Sequence, residues 1–210
     1  MFKNKKQYTK MNKIIVLVLV FITSSLMAQK NSQKDNFVVL IKKVKGDLNK
    51  DNLNDLVVVT QDTIDEKAPY KLEIFFAQPN GTFKQIISTT KAIDLQYPEG
   101  KNGNYYGQTF DDISITKGVL IIRNELIRGN FEHKFRYQNT NFELIGFSQT
   151  YSDGQGTMGI IDFNLSTGIQ IKTTERYDDS DEKPTKIQKK IIIQPLPKLQ
   201  DFAPLITQFY

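Results

Sequence analysis

Between Gly46 and Val59 the chain reads Gly-Asp-Leu-Asn-Lys-Asp-Asn-Leu-Asn-Asp-Leu-Val-Val-Val, a polar loop that runs straight into a β-branched segment. Asp47, Asn49, Asp51 and Asp55 stand at loop positions one, three, five and nine, and Leu53 at position seven can offer its backbone carbonyl. Oxygen donors in that alternation suit a hard cation, Ca²⁺ above all, which takes carboxylates, amide oxygens and main-chain carbonyls together. Three carboxylates on one short loop repel one another unless a cation neutralises them. A solvated turn without metal is the plainer alternative, because Asp and Asn are ordinary turn residues.

Other residues offer less. The chain has no cysteine, which excludes a thiol nucleophile, zinc-thiolate chemistry, disulfides and a lipid-anchored lipoprotein. His133 is the single histidine, and strand alternation puts it on one face with Phe131, Phe135 and Tyr137, as a packed ring rather than a general base. Asp111 and Asp112 are neighbours whose side chains leave opposite faces of a strand, so the pair does not serve one pocket. Gly154-Gln155-Gly156-Thr157-Met158-Gly159 spells a dinucleotide-type glycine pattern, yet a strand-like run follows where a helix would have to open. The long gap from Tyr97 to Gly107 carries three tyrosines and fits recognition of a protein or a glycan.

These residues must be positioned by strands. Period-two alternation marks Phe37–Lys45, Asp55–Gln61, Lys71–Ala77 and Thr82–Ser88, and helical periodicity is nowhere convincing. Asn80-Gly81, Lys117-Gly118, Gln138–Asn141 and Ser166-Thr167-Gly168 each separate two apolar runs and predict hairpins. Strands joined by short turns make an antiparallel meander, hence an all-β fold. Asp178–Pro184 reads as an exposed charged turn.

The beginning of the chain sets the expected compartment. Lys3, Lys5, Lys6, Lys10 and Lys13 precede an apolar run, Ile14–Ile22, that ends in the small-residue exit Thr23–Ala28. That order is a cleaved signal peptide over residues 1–28, because a spanning helix wants about 20 apolar residues. Export to the periplasm or the exterior follows, with no membrane span after cleavage. The leader's five lysines account for the excess of 28 basic over 23 acidic residues, so residues 29–210 are neutral and offer nucleic acid no general field. Their length, about 180 residues, suits one β-rich domain.

The sequence Asp47-x-Asn49-x-Asp51-x-Leu53-x-Asp55, followed by Leu56-Val57-Val58, Leu72–Phe76 and Asn80-Gly81-Thr82-Phe83, resembles an FG-GAP or VCBS repeat. These are the blade units of integrin-type β-propellers, and the resemblance covers about residues 44–90. It implies a structural Ca²⁺ held by Asp47, Asn49, Asp51, Leu53 and Asp55, and an apolar run forming an inner blade strand. Two positions depart from kindred patterns. Asn52 stands where the family has glycine, and it tolerates the left-handed conformation the loop needs. Position twelve is Val58, where an EF-hand keeps glutamate, so the EF-hand reading fails.

A closed propeller needs at least four blades, and one signature is present. The expectation is a single blade-like unit merged into a twisted sheet or sandwich. Phe110–Phe147 is similar to the later part of small exported bacterial proteins of unassigned function that carry one such repeat, a likeness that brings no catalytic residues. Function is accordingly expected to be that of an exported, calcium-stapled β-scaffold, a binding or structural module. The alternatives are a secreted hydrolase working through carboxylates and an inhibitor or accessory subunit of an envelope complex.

Overall fold

The computed structural model describes residues 36–103, 109–179 and 181–204. The expected signal peptide, residues 1–28, lies outside the described residues. No helix among them is long and apolar enough to cross a membrane, which leaves strand-built spans unaddressed.

Four strands make the first sheet: β1 (Val39–Gly46), β2 (Asp55–Gln61), β3 (Tyr70–Ala77) and β4 (Phe83–Thr89), in the order β1-β2-β3-β4. Seven more make the second: β5 (Thr109–Thr116), β6 (Val119–Leu126), β7 (Gly129–Gln138), β8 (Asn141–Ser152), β9 (Thr157–Asn164), β10 (Ile169–Arg176) and β11 (Thr185–Lys190). They lie in simple chain order, β11 to β5, every pair antiparallel. Both sheets are open meanders, so the fold is all-β and unclosed, as the alternation predicts. The span of about residues 44–90 takes in the end of β1 and all of β2, β3 and β4.

Alternation decides which faces meet. Val57, Val59, Leu72, Ile74 and Phe76 point inward from β2 and β3, and their intervening neighbours are half-buried. Opposite them stand Ile113, Leu120, Ile122, Phe135, Phe142 and Leu144 of the larger sheet, in one continuous core. Rings lock the two sheets together: Tyr70 lies 5.3 Å from Phe110, and Phe76 lies 4.9 Å from Tyr137, edge to face. Burying each large apolar side chain contributes about 1.5–3 kcal/mol, which gives this cysteine-free chain a core able to hold without disulfides.

The hairpins follow their turn residues. Lys117 and Gly118 take φ of 51° and 75°, and Asn139 and Thr140 take 50° and 62°, the two left-handed residues that a tight hairpin matched to strand twist requires. Between β3 and β4 the turn is looser than Asn80-Gly81 suggests. Gly81 takes φ 81°, whereas the Asn80 side chain accepts from the Thr82 amide at 3.0 Å, and Gln78 N–H closes the loop onto Thr82 O at 2.9 Å.

After β11 the chain returns to the core. Leu144 N–H donates to Pro197 O at 2.8 Å and Leu199 N–H to Phe142 O at 2.9 Å, so this segment pairs with the start of β8, ahead of Gly146 where pairing with β9 begins. Leu199 and Phe202 are buried there.

A buried amide on β6 is unmatched among the described residues. Asn124 on β6 has no exposed surface, and among the described residues neither its amide nitrogen nor its oxygen finds a hydrogen bond. A near-isosteric apolar residue removes that penalty, so Asn124→Leu is expected to raise stability by about 1–2 kcal/mol in urea unfolding. A loss of stability would show that the amide is matched.

Candidate metal site

The loop between β1 and β2 folds around carboxylates. Asp47 opens it, and its Oδ1 accepts from the amides of Lys50 at 2.6 Å and Asp51 at 3.2 Å while Oδ2 accepts from Asn52 at 2.9 Å. Turning three successive amides toward one carboxylate bends the backbone sharply. Lys50 and Asn52 both go left-handed, at φ 67° and 66°. Asn52 does so as its chemistry predicts. Lys50 does so against its preference, a cost of about 1–2 kcal/mol that the two bonds from its own and the next amide offset.

Asn49 and Asp51 face each other. The Asn49 amide nitrogen donates to Asp51 Oδ2 at 2.9 Å, its oxygen accepts from Asp51 N–H at 3.1 Å, and Asp51 Oδ1 accepts from Leu53 N–H at 2.8 Å. Leu53 is half-buried and Asp51 exposed.

Asp55 behaves differently. It is the first residue of β2, fully buried, and its two oxygens accept from Leu48 N–H at 2.8 Å and Ala77 N–H at 3.0 Å. That single carboxylate ties the loop to the end of β3. Burial pushes its pKa above the ordinary carboxylate value and the nearby charge of Asp51 adds to the shift, opposed by the amides of Leu48, Ala77 and Asn49.

The donor set is hard oxygen throughout, which fits Ca²⁺, and a carboxylate oxygen that takes one N–H keeps a second lone pair. Among the described residues, however, no three Asp, Glu, His or Cys side chains converge as a metal-holding group. The carboxylates are spread over the loop's own amides, and Asn49 must release Asp51 to turn its oxygen toward an ion. The charge of Asp51 reaches Asp55.

The remaining candidates fall into structural places. His133 has no exposed surface and lies among Phe131, Phe147 and Phe202, with ring centroids 5.3, 5.2 and 4.7 Å away. Desolvation holds its pKa down to about 3. Asp111 pairs with Arg123 at 2.9 Å and Asp112 with Lys42 at 2.7 Å, so each carboxylate already has its own counter-charge. The glycine pattern is the β8–β9 hairpin loop, where Asp153 Oδ1 accepts from the amides of Gln155 and Thr157. In the Tyr97–Gly107 loop, Tyr97 is half-buried, its amide donates to Lys67 O at 3.1 Å, and Lys101 Nζ donates to Thr63 O at 2.8 Å. Residues 104–107, with Tyr105 and Tyr106, lie outside the described residues.

The class these features define is a two-sheet, all-β protein with an acidic loop at the first hairpin. No family model, curated protein or solved structure matches the chain.

Proposed function

We propose that the chain is an exported β-scaffold whose first hairpin loop takes up calcium, and that it serves as a binding or structural module. The carrying observation is the loop itself: Asp47 gathers three amides, Asn52 adopts the left-handed turn, and Asn49, Asp51 and Asp55 bring further oxygens to the same turn. Bound Ca²⁺ would neutralise the carboxylates and join the β1 end to β2. The resemblance of residues 44–90 to an FG-GAP or VCBS unit supports the same reading, as does the antiparallel meander of β1 to β4 around that span. Export rests on the lysine-rich start and apolar run of residues 1–28. Recognition of a protein or glycan belongs to the Tyr97–Gly107 loop in this reading, whose described part is tied down at Lys67 and Thr63.

Calcium contributes support here, not catalysis. With an extracellular-type affinity of about 10⁻⁴ M and free Ca²⁺ of about 10⁻³ M, occupancy stabilises the fold by roughly 1.4 kcal/mol. Titration calorimetry with CaCl₂ is expected to give saturable heat for the wild type and none for Asp51→Ala. Identical heats for the two proteins overturn the site.

A further inference from the structure

In a meander every second connection lies at the same end of the sheet. The turns β6–β7, β8–β9 and β10–β11 therefore share one end of the larger sheet, where Gly129 pairs with Tyr151, Ser152 with Met158 and Arg176 with Thr157. The glycine-rich β8–β9 turn is the middle one of the three. A Cβ on Gly154 would collide with the Arg128 guanidinium from one neighbouring turn, and a Cβ on Gly156 with the Asp178 carboxylate from the other. Arg128 Nη1 donates to Asp153 O at 3.1 Å, which fixes the first of these contacts.

Tyr177 is clamped to the same turn at both of its ends. Its backbone N–H donates to Gly156 O at 2.8 Å, and its hydroxyl accepts from Gly156 N–H at 3.1 Å. Ser152 Oγ donates to that hydroxyl at 3.4 Å. Fixed partners for a tyrosine hydroxyl belong mostly to buried rings, yet Tyr177 is 58 % exposed. An aromatic face is thus presented to solvent with its rotamer already set, so a ligand that stacks on it meets little ordering cost. Beside it, Arg176 and Asp178 hold each other through two bonds, Nε to Oδ1 at 2.7 Å and Nη2 to Oδ2 at 2.5 Å, a fixed array of donors and acceptors.

Charge selects the ligand. Arg128 and Arg176 repel a cation at this end of the sheet. Asp179 and Glu182 of the following turn are near enough to act on the Arg176 charge, and they repel an anionic polymer. A neutral molecule with an apolar face for the ring and hydroxyls for the guanidinium–carboxylate pair meets neither obstacle, and sugars have that chemistry. We infer that this end of the larger sheet binds a neutral oligosaccharide, with one pyranose ring stacked on Tyr177 and its hydroxyls bonded to Arg176 and Asp178. The site uses no residue of the Tyr97–Gly107 loop. It is also independent of calcium, because the acidic loop lies at the opposite end, where Asp47 O approaches Gly118 of the β5–β6 turn.

An amide NMR titration of protein expressed from the full-length sequence tests the site, with cellohexaose, maltohexaose and chitohexaose as probes. At least one of them is expected to give saturable shifts at Gly154, Gly156 and Tyr177, with a Kd of about 0.1–10 mM, at the weak end of the affinity scale. Tyr177→Ala is expected to weaken binding at least about 10-fold, as loss of an aromatic anchor does, and Tyr177→Phe, which keeps the ring, by less than about threefold. Both variants should keep the wild-type amide spectrum away from the turn, which separates lost binding from lost folding. Absence of shifts with all three sugars overturns the inference, as do shifts confined to other parts of the sheet or an unchanged Kd in Tyr177→Ala. Polygalacturonate or an oligolysine peptide shifting the same amides at lower concentration overturns it too, assigning the surface to a charged partner.

Discussion

Asp55→Ala is expected to lower the unfolding free energy by about 2–5 kcal/mol whether or not calcium is present, because it strips the buried Leu48 amide and the half-buried Ala77 amide of their shared acceptor. Those amides belong to Leu48, seven residues back, and Ala77, twenty-two residues on, and both bonds are short, at 2.8 and 3.0 Å. An unsatisfied buried N–H costs about 1–3 kcal/mol, and Leu48 is as buried as Asp55. Asp55→Asn keeps one oxygen acceptor and is expected to lose about half as much. Asp51→Ala is the contrast. It is exposed, bonded to Asn49 and Leu53 of its own turn, and should lose less than about 1 kcal/mol without calcium together with the whole calcium-dependent increment. Urea unfolding with chelator and with CaCl₂ separates the two roles. If Asp55→Ala unfolds within about 0.5 kcal/mol of wild type in chelator, the carboxylate is not what joins the loop to β3.

That contrast shows what spacing could and could not convey. The alternation of Asp47, Asn49, Asp51 and Asp55 identifies a loop built around oxygens, and Asn52 announces the left-handed turn. It does not distinguish Asp55 from the others. Asp55 is set apart by Ala77, whose amide arrives only when β3 pairs with β2 and closes on Asp55 Oδ1.

The same division runs through the fold. Strands with one covered face carry alternation and are legible: β2 matches Asp55–Gln61 residue for residue. The turns at Lys117-Gly118 and Gln138–Asn141 are legible because each parts two apolar runs, although Lys117 and Thr140 take positive φ against their preference. The β6–β7 hairpin is not, since Ile127-Arg128 carries no turn chemistry and Gly129 alone, at φ 136°, lets the chain pass Thr150 closely. β11 is not either, because every residue in it is exposed and nothing is left to alternate. Non-local pairing, such as Lys198 with Glu143, and the parting of the eleven strands into two sheets depend on which apolar faces find each other.

Acid sensitivity of the fold is expected to centre on His133. Its side chain alternates with Phe131 and Phe135 as strand periodicity requires, and the ring lies without exposed surface against Phe131, Phe147 and Phe202, where an imidazolium loses its hydration. Desolvation lowers its folded pKa from the ordinary 6.5 to about 3. Below about pH 6.5 the unfolded chain therefore takes up a proton that the folded chain refuses, and stability falls steadily until the folded ring protonates too. The loss amounts to about 2 kcal/mol between about pH 7 and 5, and about 4 kcal/mol by about pH 3. Asp55 works in the opposite sense. Its raised pKa means that the folded form gains a proton before the unfolded one, so acidification through that range restores some stability. His133→Phe separates the two: it keeps an aromatic ring in the cage and abolishes the titration, so the decline between about pH 6.5 and 5 should vanish. The slope, not the absolute stability, is the readout, because a bulkier ring strains the packing with Phe202 at every pH alike. A variant that keeps the wild-type slope would move the acid sensitivity away from this ring and onto the surface carboxylates.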